Sequence, residues 1–508
     1  MRDLDAAIDG WRALLGDANV ITDPDALRAA ASATYATTQR VTAIVRPRTT
    51  AEVSAVMRTA TAREAPVYPI SRGRNWGLGS RVPTGDGCAL LDLSEMRAIT
   101  AFDESLAWIT VEPGVTFRQA HEFLTEHRSK LFVSVTGSSP EASLVGNAVE
   151  RGDGAGPLGD RASHVCAIEA VLATGEVIRT GFARFGDVPV APLHRWGVGP
   201  SLDGLLSQSN LAVVTRMTLW LSPLPRSIQA MRFSLRDDLR FPALIDALRG
   251  LRLDGTLRAT ASLWNDLRAL STEARSGDAD ARRRFREETG EARWFGLTGL
   301  YAPTALMGRA MREHAVATLA PIVAGWQVEE RSGDPAAGRE LLWEPEPALG
   351  FLQGVPHEYA LKSMYWAKSF GCERSPDPDR DRCGVVWACA AVPLRGDEVL
   401  KACVTVREVF EAHGFDPMIA IATPTERVAS VLPTVLYDRD REGDDDRAMR
   451  CHDALLAACA ERGWLPHRLG VHSMASLPPT TDDSRAVLAR LRTALDPAGV
   501  LAPGRYEK

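Results

Sequence analysis

An apolar run, Ala65-Pro66-Val67-Tyr68-Pro69-Ile70, leads directly into Ser71-Arg72-Gly73-Arg74-Asn75-Trp76-Gly77-Leu78-Gly79, and this strand-to-loop junction restricts the fold more than any other stretch of the chain. Glycines at 73, 77 and 79 let backbone amides approach a phosphate where no Cβ intervenes. Arg72 and Arg74 add positive charge, so the loop suits a diphosphate. Its spacing matches neither G-x-G-x-x-G nor a Walker loop, which excludes a Rossmann or P-loop assignment. Taken alone, the stretch reads equally well as a tight turn. Around it, over 43–221, short apolar strands such as Ala89-Leu90-Leu91-Asp92 and Trp108-Ile109-Thr110-Val111 alternate with helical stretches at 51–63 and 116–124, the pattern of an α/β or α+β domain. Residues 166–172, Ala173-Thr174-Gly175-Glu176 and 177–180 read as a β-hairpin with glycine in its turn. The apolar run 211–221 stops before Pro223 and Pro225, which predicts a boundary near residue 225.

Beyond that boundary the alternation resumes, with strands expected at 229–235, 294–301 and 385–392, helices at 241–251, 305–320 and 397–413, and two apolar strands ending at Tyr437. This rhythm predicts an antiparallel sheet covered by helices and built from two similar halves. The stretches 332–347 and 373–383, rich in Pro, Gly and charge, read as surface loops, one of them a lid. The acidic run 438–446 reads as a solvated connector before a helix at 447–462, and the sequence beyond 462 is apolar and turn-rich.

At 508 residues, 45% hydrophobic and 24% charged, the chain is long and apolar enough for two or more sizeable cores. A net charge of -6, with Arg and acidic residues interspersed, leaves no basic stripe to neutralise phosphates. Nucleic acid is therefore excluded as a partner and a small-molecule substrate is expected. Residues 1–11 are acidic and amphipathic, unlike a signal peptide, and no stretch approaches the roughly 18 apolar residues that span a bilayer. These features predict a cytoplasmic protein without membrane contact. Eight cysteines without any C-x-x-C spacing read as free thiols, with no disulfide, no haem attachment and no metal site.

Over 136–152, small and hydroxylated residues precede Asn147-Ala148-Val149-Glu150-Arg151-Gly152, and such a segment can lie against a flat ring and offer amides to its oxygens. Gly156-Pro157-Leu158-Gly159-Asp160 comes next, then Gly197-Val198-Gly199-Pro200-Ser201-Leu202-Asp203-Gly204-Leu205-Leu206-Ser207-Gln208-Ser209-Asn210, and the chain closes through Asp496-Pro497 and Ala502-Pro503-Gly504-Arg505. Together with the 71–79 loop, these segments resemble the vanillyl-alcohol oxidase and p-cresol methylhydroxylase family of FAD-dependent oxidoreductases. The resemblance covers nearly the whole chain, strongest over 42–225 and at the C-terminus, weakest over 229–437. It implies an α+β, two-domain flavoprotein: a PCMH-type FAD-binding domain at 1–225, an antiparallel-sheet, helix-covered substrate cap at 226–462, and a segment at 463–508 returning to the FAD domain. It assigns FAD contacts to Pro69, Ile70, Ser71, Arg72, Gly73, Arg74, Asn75 and Gly79. Further contacts fall on Gly137, Ser138, Ser139, Ser143, Gly146, Asn147, Arg151 and Gly152, and on Arg505.

By position, Arg468 matches the family's active-site arginine, a fixed cation for charge developing on the flavin or the substrate. Surface salt bridging is the plainer reading of Arg468 and Arg505. The phenol-oxidising relatives hold a phenolate between two tyrosines and that arginine. Leu78 and His467 stand in the tyrosine positions here, so a 4-hydroxybenzyl substrate is not expected. With an unperturbed pKa of about 6.5, His467 suits a general base or a hydrogen-bond donor. Ser138 falls where vanillyl-alcohol oxidase has an aspartate beside flavin N5, and a hydroxyl supplies neither its charge nor its basicity. The tethering stretch of the relatives corresponds to 428–435, which holds no His or Tyr, so the FAD is expected to be non-covalent. His472 reads as structural, and His194 lies beside the 197–210 motif.

The implied activity is hydride removal from an activated C–H of an alcohol, amine or benzylic-type carbon, as an oxidase using O2 or a dehydrogenase using a separate electron acceptor. A hydroxy-acid or sugar-like substrate, and a non-catalytic binding module, are the alternatives. A pocket drawn from Trp264, Trp343, Trp366 and Trp387 favours an aromatic substrate. Analogy with the family makes a homodimer the expected assembly.

Overall fold

The computed structural model describes residues 3–334, 342–343, 346–372 and 375–507. Val41–Val45, Cys88–Asp92 and Val67–Ile70 lie side by side in parallel, with Val20–Ile21 antiparallel at the edge. Their nearly unbroken apolar runs follow from burial on both faces. Val45, Val67 and Leu91 pack against Trp11, Val53 and Met57 of the helices Leu4–Leu15 and Thr50–Ala62, while Ile44, Tyr68 and Leu90 form a second cluster on the opposite side. The end of the chain returns to this sheet. Val67 bonds to both sides of Leu501, donating its N–H to the Val500 carbonyl (2.8 Å) and accepting from the Ala502 N–H (2.7 Å). The strand that delivers the glycine loop is thus steadied by the last residues of the chain.

A second sheet runs, in order, Ile99–Asp103, Trp108–Val111, Ala212–Trp220, Val165–Leu172 and Val177–Arg179, all antiparallel. The expected hairpin is present, turning at Gly175, whose φ of +90° suits only glycine without strain.

Residues after 226 build an antiparallel sheet in the order Gly325–Ser332, Ser227–Leu235, Trp294–Ala302, Ser262–Asn265, Ile419–Ala422, Val428–Asp438 and Cys383–Trp387, with Ala390–Pro393 also pairing Val428–Asp438. Helices Phe241–Leu253, Ala305–Leu319, Gly396–Ala412 and Asp444–Ala460 contribute Leu244, Leu248, Leu319, Phe410 and Leu455 to one shared core with this sheet. Both halves follow the order strand, helix, strand, strand, helix, strand, the first with the helices Asp266–Leu270 and Ala279–Glu288 inserted between its second and third strands. In the second half the sixth strand shrinks to a single bridge between Ala390 and Pro466. That remnant sets His467 and Arg468 beside the sheet, and the His467 N–H donates to the Cys389 carbonyl at 3.0 Å.

Several expectations change. The strand at 385–392 is broken at Ala388 and Cys389, although Trp387↔Thr434 and Ala390↔Val431 keep one register. Pro433 falls opposite Ala388 in that register and has no N–H to donate. The acidic run is not a solvated connector: Asp438 and Asp440 hold the buried Lys368 ammonium at 2.6 and 2.7 Å, and Asp444, Asp445 and Asp446 form the first turn of the next helix. The stretch 373–383 is a strap rather than a plain surface loop from Ser375 onward. Its Asp377 pairs with Arg74 at 2.9 Å, and its Asp379 accepts from Trp76 Nε1 at 3.0 Å and from Ser80 at 2.8 Å. Most of the loop expected at 332–347 lies outside the described residues. Ser484–Leu495 is a helix that the turn-rich reading missed, although Val487, Leu488, Leu491 and Leu495 recur at helical spacing; none of its residues is buried. All eight cysteines are free. Among the described residues no helix is long and apolar enough to cross a membrane, and no group of side chains could hold a metal ion.

A Cβ on Gly77 would fall 1.8 Å from Trp387 Cδ1, so the cap rests directly on the backbone of the glycine loop. Gly77→Ala is expected to lower the thermal midpoint well beyond Gly87→Ala. The latter has a similar φ, +75°, and a similar backbone strain of about 1–2 kcal/mol, but open space around its Cβ. Equal midpoints by scanning calorimetry would show that Trp387 yields freely.

Candidate active site

One cavity of about 780 Å³ runs from the glycine loop to the underside of the cap sheet. Pro69, Ile70, Ser71, Arg72, Gly73, Arg74 and Asn75 line it at the loop. Gly137, Ser138, Ser143, Gly146, Asn147 and Gly152 line the facing wall, and His467, Arg468 and Arg505 enter from the C-terminal segment. Three residues assigned by resemblance lie off the cavity. Gly79 lets the backbone approach Val471, whose Cγ2 would be 2.5 Å from an added Cβ. Ser139 is buried and its hydroxyl accepts from the Glu141 N–H at 3.1 Å, which shapes the loop. Arg151 is exposed, and its Nε donates to Ser207 Oγ at 3.0 Å.

The charges converge on Glu150. Its carboxylate accepts from Arg505, which also bonds to the Tyr68 hydroxyl; Tyr506 Oη lies 3.3 Å away and Arg468 Nε 3.9 Å. Burial alone would raise the Glu150 pKa, but the Arg505 and Arg468 guanidiniums outweigh it and hold the group ionised. Arg468 also donates from Nη2 to Asn75 Oδ1 at 2.7 Å, which ties the glycine loop to the C-terminal segment. Gln208 completes the clamp, donating to the His467 carbonyl at 2.9 Å, and Asn210 donates to Glu507 at 3.0 Å. The 197–210 motif therefore acts by holding the chain's end. Surface salt bridging does not describe Arg468 or Arg505, whose side chains are 16% and 12% exposed.

The His467 pKa is pushed down to about 4 by burial and by Arg468, so the ring is neutral at pH 7, and its buried Nδ1 has no partner. A group so lowered is a weak base, which corrects the expectation built on an ordinary histidine. Asp153, two residues past Arg151 and also on the cavity wall, moves the other way. Burial and the nearby Asp160 raise its pKa to about 6. Arg161 is buried and donates to Asn147 Oδ1 at 2.7 Å and to the Ser134 carbonyl at 2.6 Å, fixing the asparagine amide on the wall.

At the cap end, Trp264 and Trp387 line the cavity with Phe233, Phe285 and Phe295. Trp343 and Trp366 do not; they are 3% and 1% exposed within separate clusters. Sequence reasoning passed over Glu150, Asp153, Arg161 and Arg268. Glu150 stood inside a quoted motif, and an acid among so many glycines and arginines was the available signal. Arg268 had none.

The cavity suits FAD. An added Cβ on Gly137 would meet only Ala360, at 3.8 Å, so the wall there is open to a flat ring. Gly73, at φ +62°, turns the loop between Arg72 and Arg74, which would supply cations to a diphosphate held there.

Comparison with known proteins agrees. A family model described as an FAD binding domain matches residues 41–181. Over 532 residues the chain is 41% identical to the 1'-carboxy-chondrochloren decarboxylase of Chondromyces crocatus, covering 99% of this chain and 97% of that one. It is 27% identical over 529 residues to the flavoprotein subunit of 4-cresol dehydrogenase (hydroxylating) of Pseudomonas putida, covering 99% and 95%. The crystal structure of substrate-bound p-cresol methylhydroxylase superposes with a TM-score of 0.88 at 26% identity, covering 99% of this chain and 96% of that one. The 4-ethylphenol oxidase of Gulosibacter chungangensis shares the fold, with a TM-score of 0.86 at 23% identity and coverage of 99% and 97%. The chain belongs to the vanillyl-alcohol oxidase and p-cresol methylhydroxylase family and is an FAD-dependent oxidoreductase.

Proposed function

We propose that this enzyme removes a hydride from an activated C–H carbon of a largely apolar small molecule, passing it to a non-covalently held FAD. The observation that carries this reading is the single cavity joining the glycine loop to an aromatic-walled cap, with Arg468 lining it. Bound flavin supplies a two-electron acceptor. Arg468, fixed by Asn75 and Glu150, offers a positive charge that does not have to reorganise as negative charge develops. His467 presents a ring that is neutral at pH 7, so it adds no charge to the cavity wall. Asp153 can take up a proton above about pH 6. Ser138 on the facing wall contributes a hydroxyl and no charge. Leu78 and His467 both line the cavity in place of the relatives' tyrosines, so a simple 4-alkylphenol is a poor substrate.

A second reading follows from the 41% identity to a protein named a decarboxylase. Hydride would leave the carbon next to the carboxyl-bearing carbon. The C–C bond to the carboxylate would break, its electron pair would form the new C=C bond, and CO2 would depart. Release of one CO2 per flavin reduced, measured under anaerobic conditions, selects this reading; flavin reduction without CO2 selects simple C–H oxidation.

Arg468→Ala is expected to slow anaerobic flavin reduction by about 10²–10³-fold, read by stopped-flow absorbance, since it removes a preorganised charge. Unchanged kinetics would remove Arg468 from the chemistry. The pH profile gives a separate check. Asp153 is protonated below about 6 and a carboxylate above it, so the reduction rate should rise through pH 6, and Asp153→Asn should flatten that limb. A limb that persists in the variant assigns the proton to another group. His467, neutral above about 4, adds no limb near 6.5.

A further inference from the structure

Six arginines line the cavity, and they differ in one respect. Arg72 lies 3.8 Å from Glu141, Arg74 2.9 Å from Asp377, Arg232 2.5 Å from Glu329 and Arg468 3.9 Å from Glu150, while Arg505 is bonded to Glu150. Arg268 has no carboxylate within 4.0 Å among the described residues. Its Nε is buried without a partner, and Nη1 makes only a long contact of 3.4 Å to Ser271 Oγ. Burial lowers its pKa to about 10, which leaves it a cation at neutral pH. An unpaired cation in such a place is costly, and a bound anion offsets that cost.

The side chain is held rather than trailing. Arg268 projects from the first turn of the helix Asp266–Leu270, where its N–H donates to Asn265 Oδ1 at 3.2 Å. Asn265 is itself fixed, accepting from the Ile419 N–H at 3.1 Å and donating to the Pro417 carbonyl at 2.7 Å. The Arg268 guanidinium lies 6.0 Å from the Trp387 ring centroid, and Trp264, opposite Phe295 across the sheet, lines the cavity with it. Thr272 and the Tyr359 hydroxyl, 3.1 Å apart, also line it.

Resting on the redox reading above, we propose that Arg268 anchors a carboxylate of the substrate at the cap end of the cavity, so that the substrate is an aromatic carboxylic acid. One unpaired cation calls for a monoanion, and a planar carboxylate matches the guanidinium fork. The surrounding rings accept an aromatic or otherwise flat apolar body. Arg268 is a specificity-determining residue in this account.

The test uses the FAD-loaded protein and titration calorimetry with 3-phenylpropionate against its uncharged counterpart, 3-phenylpropan-1-ol. The wild type should bind the acid at least about tenfold tighter than the alcohol. Arg268→Gln should erase that preference while leaving alcohol affinity, thermal midpoint and FAD content unchanged, and Arg268→Lys should restore part of it. Equal affinities in the wild type, no detectable binding of either compound, or a preference that survives in Arg268→Gln overturns the proposal. Binding is read here without turnover, so a protein that prefers the acid yet never reduces its flavin refutes the redox reading and leaves the anchor standing.

Discussion

One buried carboxylate, Glu150, organises the site. It sits just past a helix of the first part of the chain, Leu144–Val149, and meets two guanidiniums delivered more than three hundred residues later, Arg468 and Arg505. Each of these charges alone would be expensive to bury, and each makes the others tolerable. The consequence is geometric. Arg468 is fixed between Glu150 and Asn75, and Arg505 between Glu150 and Tyr68, so the glycine loop, the 147–152 motif and the C-terminal segment share one arrangement. The cavity exists because these three segments meet.

The cap imposes the other half of the design. Its two strand-helix-strand halves form one antiparallel sheet, and the shortening of the last strand to the bridge at Pro466 frees the chain to turn toward the flavin cavity. His467 and Arg468 therefore belong to both units: the first bonds to cap residue Cys389, the second to the glycine loop. Trp387, which rests on Gly77, and the strap holding Asp377 and Asp379 seal the same junction from the cap side. At its aromatic-walled end the cavity is lined by Trp264, Trp387, Phe233, Phe285 and Phe295, and Arg268 is the cation set among them, which gives it its weight.

Much of this was legible in the amino-acid order. The helix Thr50–Ala62, the hairpin turning at Gly175 and the strand Ser227–Leu235 carry their own periodicity and turn residues, so local chemistry is enough to find them. The place of residues 69–75 on the cavity wall was legible because an apolar strand running into closely spaced glycines and arginines marks a tight, charged turn. The features that escaped reading depend on distant partners. The acidic run at 438–446 looks solvated until Lys368 is seen beneath it. His467 looks like an ordinary base until burial and Arg468 depress it, and Asp153 looks like an ordinary acid until Asp160 and burial raise it. Gly79 and Arg151 sit within motifs whose other residues line the cavity, yet one serves packing and the other faces solvent. Arg268 is one arginine among many, set apart from the others on the cavity wall by having no carboxylate within 4.0 Å among the described residues.

The most direct test of this account is the flavin content of the acid supernatant from wild-type protein and from folded Glu150→Gln. The wild type should release FAD at about one per chain, and the variant, with two guanidiniums left uncompensated and the C-terminal segment loosened, should release far less. Flavin retained in the wild-type pellet would contradict non-covalent binding. Full flavin content in the variant would contradict the claim that Glu150 assembles the site.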